Sequence, residues 1–128
     1  KPRKADEPGV ILAVDDMPEN RDLVSRLLSK AGHTVLTAES GEEALELLDT
    51  MGVDVVLLDL MMPGIGGSEV LRRLKDDEQL RATPVIMISG RQDMDQIIAK
   101  VTEAVSKKRQ HEEKIIQARI NEITSRRA

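Results

Sequence analysis

A chain of 128 residues, 40% hydrophobic and 33% charged, has enough apolar matter for one domain with a single core, and too much for a disordered coil. It contains no Phe, Tyr, Trp or Cys, which excludes aromatic platforms for single-stranded nucleic acid, aromatic cation cages, disulfides and thiolate chemistry. The net charge of −4 is unevenly spread: residues 106–128 carry seven basic and three acidic side chains, so the acidic excess lies in the body, and the basic tail reads as a solvated helix face rather than a nucleic-acid footprint.

Residues 1–8, with Pro2 and Pro8 among mixed charges, read as a disordered lead. Residues 10–14 form a short apolar strand that ends in Asp15 and Asp16. Pro18 then takes the first helical position, where its missing N–H costs nothing, and Asp16 stands three residues before Glu19 in capping-box spacing. The helix places Leu23, Val24, Leu27, Leu28 and Ala31 on one face and stops at Gly32. A second strand over residues 33–38 opens at His33, read as a surface residue. Ser40 and Glu43 again have capping-box spacing, for a helix carrying Ala44, Leu45, Leu48 and Met51 that ends at Gly52.

Residues 53–58 are apolar apart from Asp54 and run into Asp59, after which Pro63, Gly64, Gly66 and Gly67 build a turn. A near-continuous apolar strand is what a parallel sheet covered on both faces demands. A helix with Val70, Leu71 and Leu74 fades into the charged residues 76–81, and a fourth strand over 85–88 ends at Ser89 and Gly90. The order βαβαβαβ with short connections predicts a doubly wound parallel α/β sheet.

Beyond Gly90 the pattern changes. Asp93 is spaced from Gln96 as a helix cap, Met94, Ile97, Ile98, Val101 and Val105 recur at helical intervals, residues 106–114 are all polar, and Ile115, Ile116, Ile120 and Ile123 resume the stripe. With no Gly or Pro between residues 91 and 127, one helix of up to about 35 residues, or two joined with little interruption, is expected, and no fifth strand is visible.

Ligands on open parallel sheets gather at the carboxyl ends of the strands. If the first, third and fourth strands are neighbours, Asp15, Asp16, Asp59 and Ser89 share one crevice. Three carboxylates that close repel one another and call for a cation, and all-oxygen ligation suits Mg²⁺ with several waters retained.

These features resemble the receiver domain of two-component response regulators. The acidic pair after the first strand, the acid after the third, the M-P-x-x-x-G turn at Met62-Pro63-Gly64-Ile65-Gly66-Gly67, and a hydroxyl residue thirty positions past Asp59 occur together and in order, over about residues 9–100. The resemblance implies a flavodoxin-like fold. It also implies that Asp59 accepts a phosphoryl group from a histidine kinase or phosphotransfer protein, and that Asp15, Asp16, Asp59 and the backbone carbonyl of Met61 hold Mg²⁺. Ser89 would hydrogen-bond the phosphoryl oxygen, and Gly90 would leave room for it. Receivers also carry a Lys-Pro pair at the end of a fifth strand and an aromatic switch residue. Both are missing here, and Lys107, Lys108 and Lys114 are candidates to replace the lysine by charge alone.

The expected organisation is a lead over residues 1–8, a receiver domain over 9–105 and a C-terminal helical extension over 106–128. The expected function is phosphoacceptance at Asp59, limited by spontaneous hydrolysis, in a domain that is not a free-standing enzyme. The chain is expected to be cytoplasmic and to form a homodimer through its C-terminal helix, without direct nucleic-acid or membrane contact. The alternative is a receiver-like scaffold that dimerises but no longer switches. A haloacid-dehalogenase-like phosphatase is excluded because that family places a second Asp two residues after its nucleophile, where this chain has Met61.

Overall fold

The computed structural model describes residues 9–59, 62, 64, 66–88 and 94–126. The elements run β1 (Val10–Val14), α1 (Pro18–Lys30), β2 (Thr34–Ala38), α2 (Gly41–Thr50), β3 (Val55–Asp59), α3 (Gly67–Asp76), β4 (Val85–Ile88) and α4 (Met94–Arg126). The strands form one parallel sheet in the order β2-β1-β3-β4, in register at Leu12↔Leu36, Leu12↔Val56 and Asp59↔Ile88. This is the doubly wound sheet expected from the sequence, and four strands are all that the described residues contribute.

Strand alternation divides the core into two layers. Leu12, Val14, Val56 and Leu58 face Ala44 and Leu48 of α2 and Val70 and Leu74 of α3. Ile11, Ala13, Val55 and Leu57 face Val24 and Leu28 of α1 and Ile97, Val101 and Val105 of α4. Both faces of β1 and β3 are therefore covered, which is why these two strands read as apolar runs. Truncating a fully buried residue such as Leu12 or Leu57 to Ala is worth about 2–5 kcal/mol.

The local signals act largely as the sequence indicates. The Ser40 hydroxyl accepts a hydrogen bond from the Glu43 N–H and caps α2. Helix α1 closes with the His33 N–H on the Leu28 carbonyl and the Gly32 N–H on the Ser29 carbonyl, a Schellman arrangement that needs the positive φ of 99° at Gly32. Two expectations are corrected. Asp16 does not cap α1: the N-cap is Met17, without a side-chain bond, and the carboxylate that folds back is Asp15, accepting from the Met17 N–H at 2.9 Å. His33 is not a surface residue but is only 6% exposed; its Nδ1 accepts from the Gly9 N–H and its Nε2 donates to the Thr102 hydroxyl of α4. The cap expected at Asp93 lies outside the described residues.

Helix α4 is one continuous helix of 33 residues, about 50 Å long at 1.5 Å per residue. Its first half crosses the sheet from the carboxyl end of β4 toward the amino end of β3. There the polar run turns inward: Arg109, 1% exposed, and Lys108 both reach the buried Asp54, each at 3.3 Å. Asp54 also accepts from the Val10 N–H at 2.8 Å, and Gly9 lies so close that a Cβ there would stand 2.8 Å from its Oδ2. Beyond this anchor α4 leaves the domain with Ile115, Ile116, Ile120 and Ile123 exposed.

Candidate phosphoacceptor site

Strands β1 and β3 are adjacent, yet the chain leaves them toward opposite edges of the sheet, so their carboxyl ends open a crevice at the switch point. Asp15 and Asp16 follow β1 and Asp59 ends β3, with Val14 paired to Leu58. The three side chains, each half-buried, offer carboxylate oxygens that all lie within 4.8 Å of one another. Ser89, Gly90 and Met61 lie outside the described residues.

The main chain around Asp15 is closely tied. Its N–H donates to the Ala38 carbonyl of β2 at 3.1 Å, and its carbonyl accepts from Nη1 of Arg21 at 2.8 Å. Burial pushes the Asp15 carboxyl above its ordinary value. The Met17 N–H and the Asn20 side chain act against that shift, and the negative charges of Asp59 and Asp16 add to it. A pocket of three crowded carboxylates that resists ionisation of Asp15, with an all-oxygen donor set and no thiolate or imidazole, fits a hard divalent cation such as Mg²⁺.

Of the lysines proposed as stand-ins, Lys107 and Lys108 are engaged elsewhere, and Lys114 is exposed on α4 beyond Arg109. Lys108 binds Asp54 and the Val53 carbonyl at the other pole of the sheet, and Lys107 pairs with Glu103 one helical turn away. Asp54 and Asp59 are the two acids of β3 and its approach, but about 16 Å of strand separates them, so only Asp59 joins the acidic cluster. The buried Asp54–Arg109 pair was missed in the sequence. Its signal was present, because Ile97, Val101, Val105 and Arg109 follow one another at steps of four and so share a helix face.

Comparison with known proteins decides the family. The sequence matches the model of the response regulator receiver domain over residues 11–119. The chain belongs to that family. PilH of Pseudomonas aeruginosa is 38% identical over 91 residues, which are 70% of this chain and 75% of PilH. The transcriptional regulatory protein CpxR of Escherichia coli is 42% identical over 89 residues, 69% of this chain but only 37% of CpxR. Among solved structures, the response regulator TrrA of Thermotoga maritima, in complex with Mg²⁺ and BeF, superposes with a TM-score of 0.64 at 30% identity, over 75% of this chain and 98% of TrrA. The receiver therefore spans most of PilH and little more than a third of CpxR. Response regulators act with histidine kinases. No helix among its described residues is long and apolar enough to cross a membrane.

Proposed function

We propose that this receiver takes a phosphoryl group onto Asp59 from the phosphohistidine of a sensor kinase or phosphotransfer protein. The observation that supports it is the meeting of Asp15, Asp16 and Asp59 within 4.8 Å at the carboxyl ends of adjacent strands. A carboxylate oxygen of Asp59 attacks the phosphorus; the new P–O bond forms as the donor's P–N bond breaks, and the electron pair leaves with the imidazole. Water later attacks the acyl phosphate and restores the carboxylate. Asp15, Asp16, Asp59 and the Met61 carbonyl would hold Mg²⁺, which when bound neutralises charge on the phosphoryl oxygens. Ser89 is assigned the hydrogen bond to one of those oxygens. The domain turns over its own modification and is not a free-standing enzyme. Its setting is the cytoplasm, with no direct contact to nucleic acid.

The test uses beryllofluoride with Mg²⁺, followed through backbone amide NMR shifts because the chain has no aromatic fluorophore. Wild-type protein is expected to bind and Asp59→Asn is not. Wild-type protein that ignores beryllofluoride at saturating Mg²⁺ overturns the assignment.

A second copy of the chain is the other partner we infer, on one observation: Ile115, Ile116, Ile120 and Ile123 remain 39–56% exposed on the projecting half of α4. Beryllofluoride that binds without altering this association favours the scaffold that no longer switches.

A further inference from the structure

We propose that Arg21 is a positioning residue for the acidic pocket, fixing the peptide plane between Asp15 and Asp16. This rests on the pocket being the Mg²⁺-dependent phosphoacceptor site. The two ligands from β1 are consecutive, so their relative aim depends on ψ of Asp15 and φ of Asp16, which turn together when the intervening peptide rotates. Helix α1 gives that peptide no help, having no side-chain N-cap. The Arg21 side chain, 19% exposed, rises from the first turns of α1 and donates Nη1–H to the Asp15 carbonyl at 2.8 Å. That carbonyl belongs to the peptide in question. With the Asp15 N–H already on Ala38, the guanidinium holds the other end of the residue and directs the carbonyl oxygen to itself.

The competing account is a rim salt bridge. Nη2 of Arg21 stands 3.8 Å from Glu39 Oε2, but Glu39 is 69% exposed, and a pair of that length in water contributes little. The short charge-assisted bond to the main chain is the stronger contact. Groups that orient metal ligands without touching the ion commonly change affinity by ten- to a hundredfold when removed, roughly.

The test is Mg²⁺ titration of the full chain by NMR at the Asp15 and Met17 amides, on wild type, Arg21→Ala and Arg21→Met. The methionine variant keeps the aliphatic stem and serves if the alanine variant fails to fold. The expected result is Mg²⁺ affinity weaker by about tenfold in a variant that still unfolds cooperatively without metal. Phosphorylation by acetyl phosphate should recover to within about twofold of wild type at saturating Mg²⁺, because a positioning residue does not touch the reacting atoms. Wild-type affinity in a folded variant overturns the proposal, and so does a phosphorylation defect that saturating Mg²⁺ leaves in place. Failure of wild type itself to bind Mg²⁺ overturns instead the reading of the pocket on which the proposal rests.

Discussion

Nη2 of Arg109 lies 3.3 Å from Oδ2 of Asp54, joining the middle of α4 to the amino end of β3 with both side chains withdrawn from water. Removing Asp54 takes away the carboxylate that Arg109 and Lys108 share, and removing Arg109 leaves that buried carboxylate to Lys108, so breaking the pair from either side costs up to about 3–5 kcal/mol. Arg109→Leu and Asp54→Leu should each lower the unfolding free energy read from urea titration by that order. The double variant should recover part of the loss, since the paired desolvation penalty goes with it, but not all, because Asp54 also holds the Val10 N–H and Lys108. Two single losses that simply add would show that the pair does not act as one unit.

His33 gives the same pole of the sheet a pH dependence. Burial holds its imidazole below the ordinary value of 6.5, and the Arg109 guanidinium pushes the same way, against Asp54. The unfolded chain therefore binds the proton more readily than the folded one, so stability rises with pH. The contribution is complete above about 6.5 and is lost as pH falls below it toward the depressed folded value. Urea midpoints should drop between about pH 7 and pH 5.5, and His33→Gln, which can offer an acceptor to Gly9 and a donor to Thr102 without titrating, should flatten that drop. An unaltered slope in the Gln variant removes His33 as the cause.

The elements that carry their own local signals were legible in the sequence. Strand β3 announced itself by apolar content, α2 by Ser40 and Glu43, the end of α1 by Gly32, and the acidic cluster by the placing of Asp15, Asp16 and Asp59 at strand ends. What escaped was non-local. Residues 106–114 looked uniformly solvated because nothing within that run shows that Asp54, more than fifty residues earlier, is buried beneath it. A lone acid in an apolar strand and a lone Arg in phase with Ile97, Val101 and Val105 each pointed to a missing partner, and each was the other's. Spacing alone marks Asp16 as a cap. In the structure the Asp15 carboxylate folds onto the Met17 N–H, and Asp16 joins the cluster.

Mg²⁺ should stabilise the fold, and more at neutral than at acid pH. Burial, with Asp59 and Asp16 adding to it, raises the Asp15 carboxyl above 3.8, so the folded state retains a proton that the unfolded chain has shed. Stability from this group therefore falls as pH rises through the raised value, and the penalty is fully present at pH 7. A cation in the pocket relieves it, and at a hundredfold excess over its dissociation constant adds about 2.7 kcal/mol. Melting curves with and without Mg²⁺ at pH 7 and pH 4 should show the larger shift at pH 7, and Asp16→Asn with Asp59→Asn should abolish it. An equal shift at both pH values would place the ion elsewhere.

The projecting half of α4 should be helical only while its stripe is covered. Beyond Arg109 it has about 17 residues, a length at which an isolated helix in water is marginal, and it presents Ile116, Ile120 and Ile123 at spacings of four and three. Burying a side chain of this size fully is worth roughly 1.5–3 kcal/mol, so pairing two such stripes offers more than the helix gains from its own backbone. Sedimentation velocity at tens of micromolar should show a dimer. Ile116→Glu with Ile120→Glu should give a monomer whose amides beyond residue 110 exchange rapidly, while those over 97–109 stay protected by the sheet and by Asp54. A wild-type monomer at that concentration, with the distal helix still protected from exchange, would mean that the stripe is stable uncovered and has no need of a second chain.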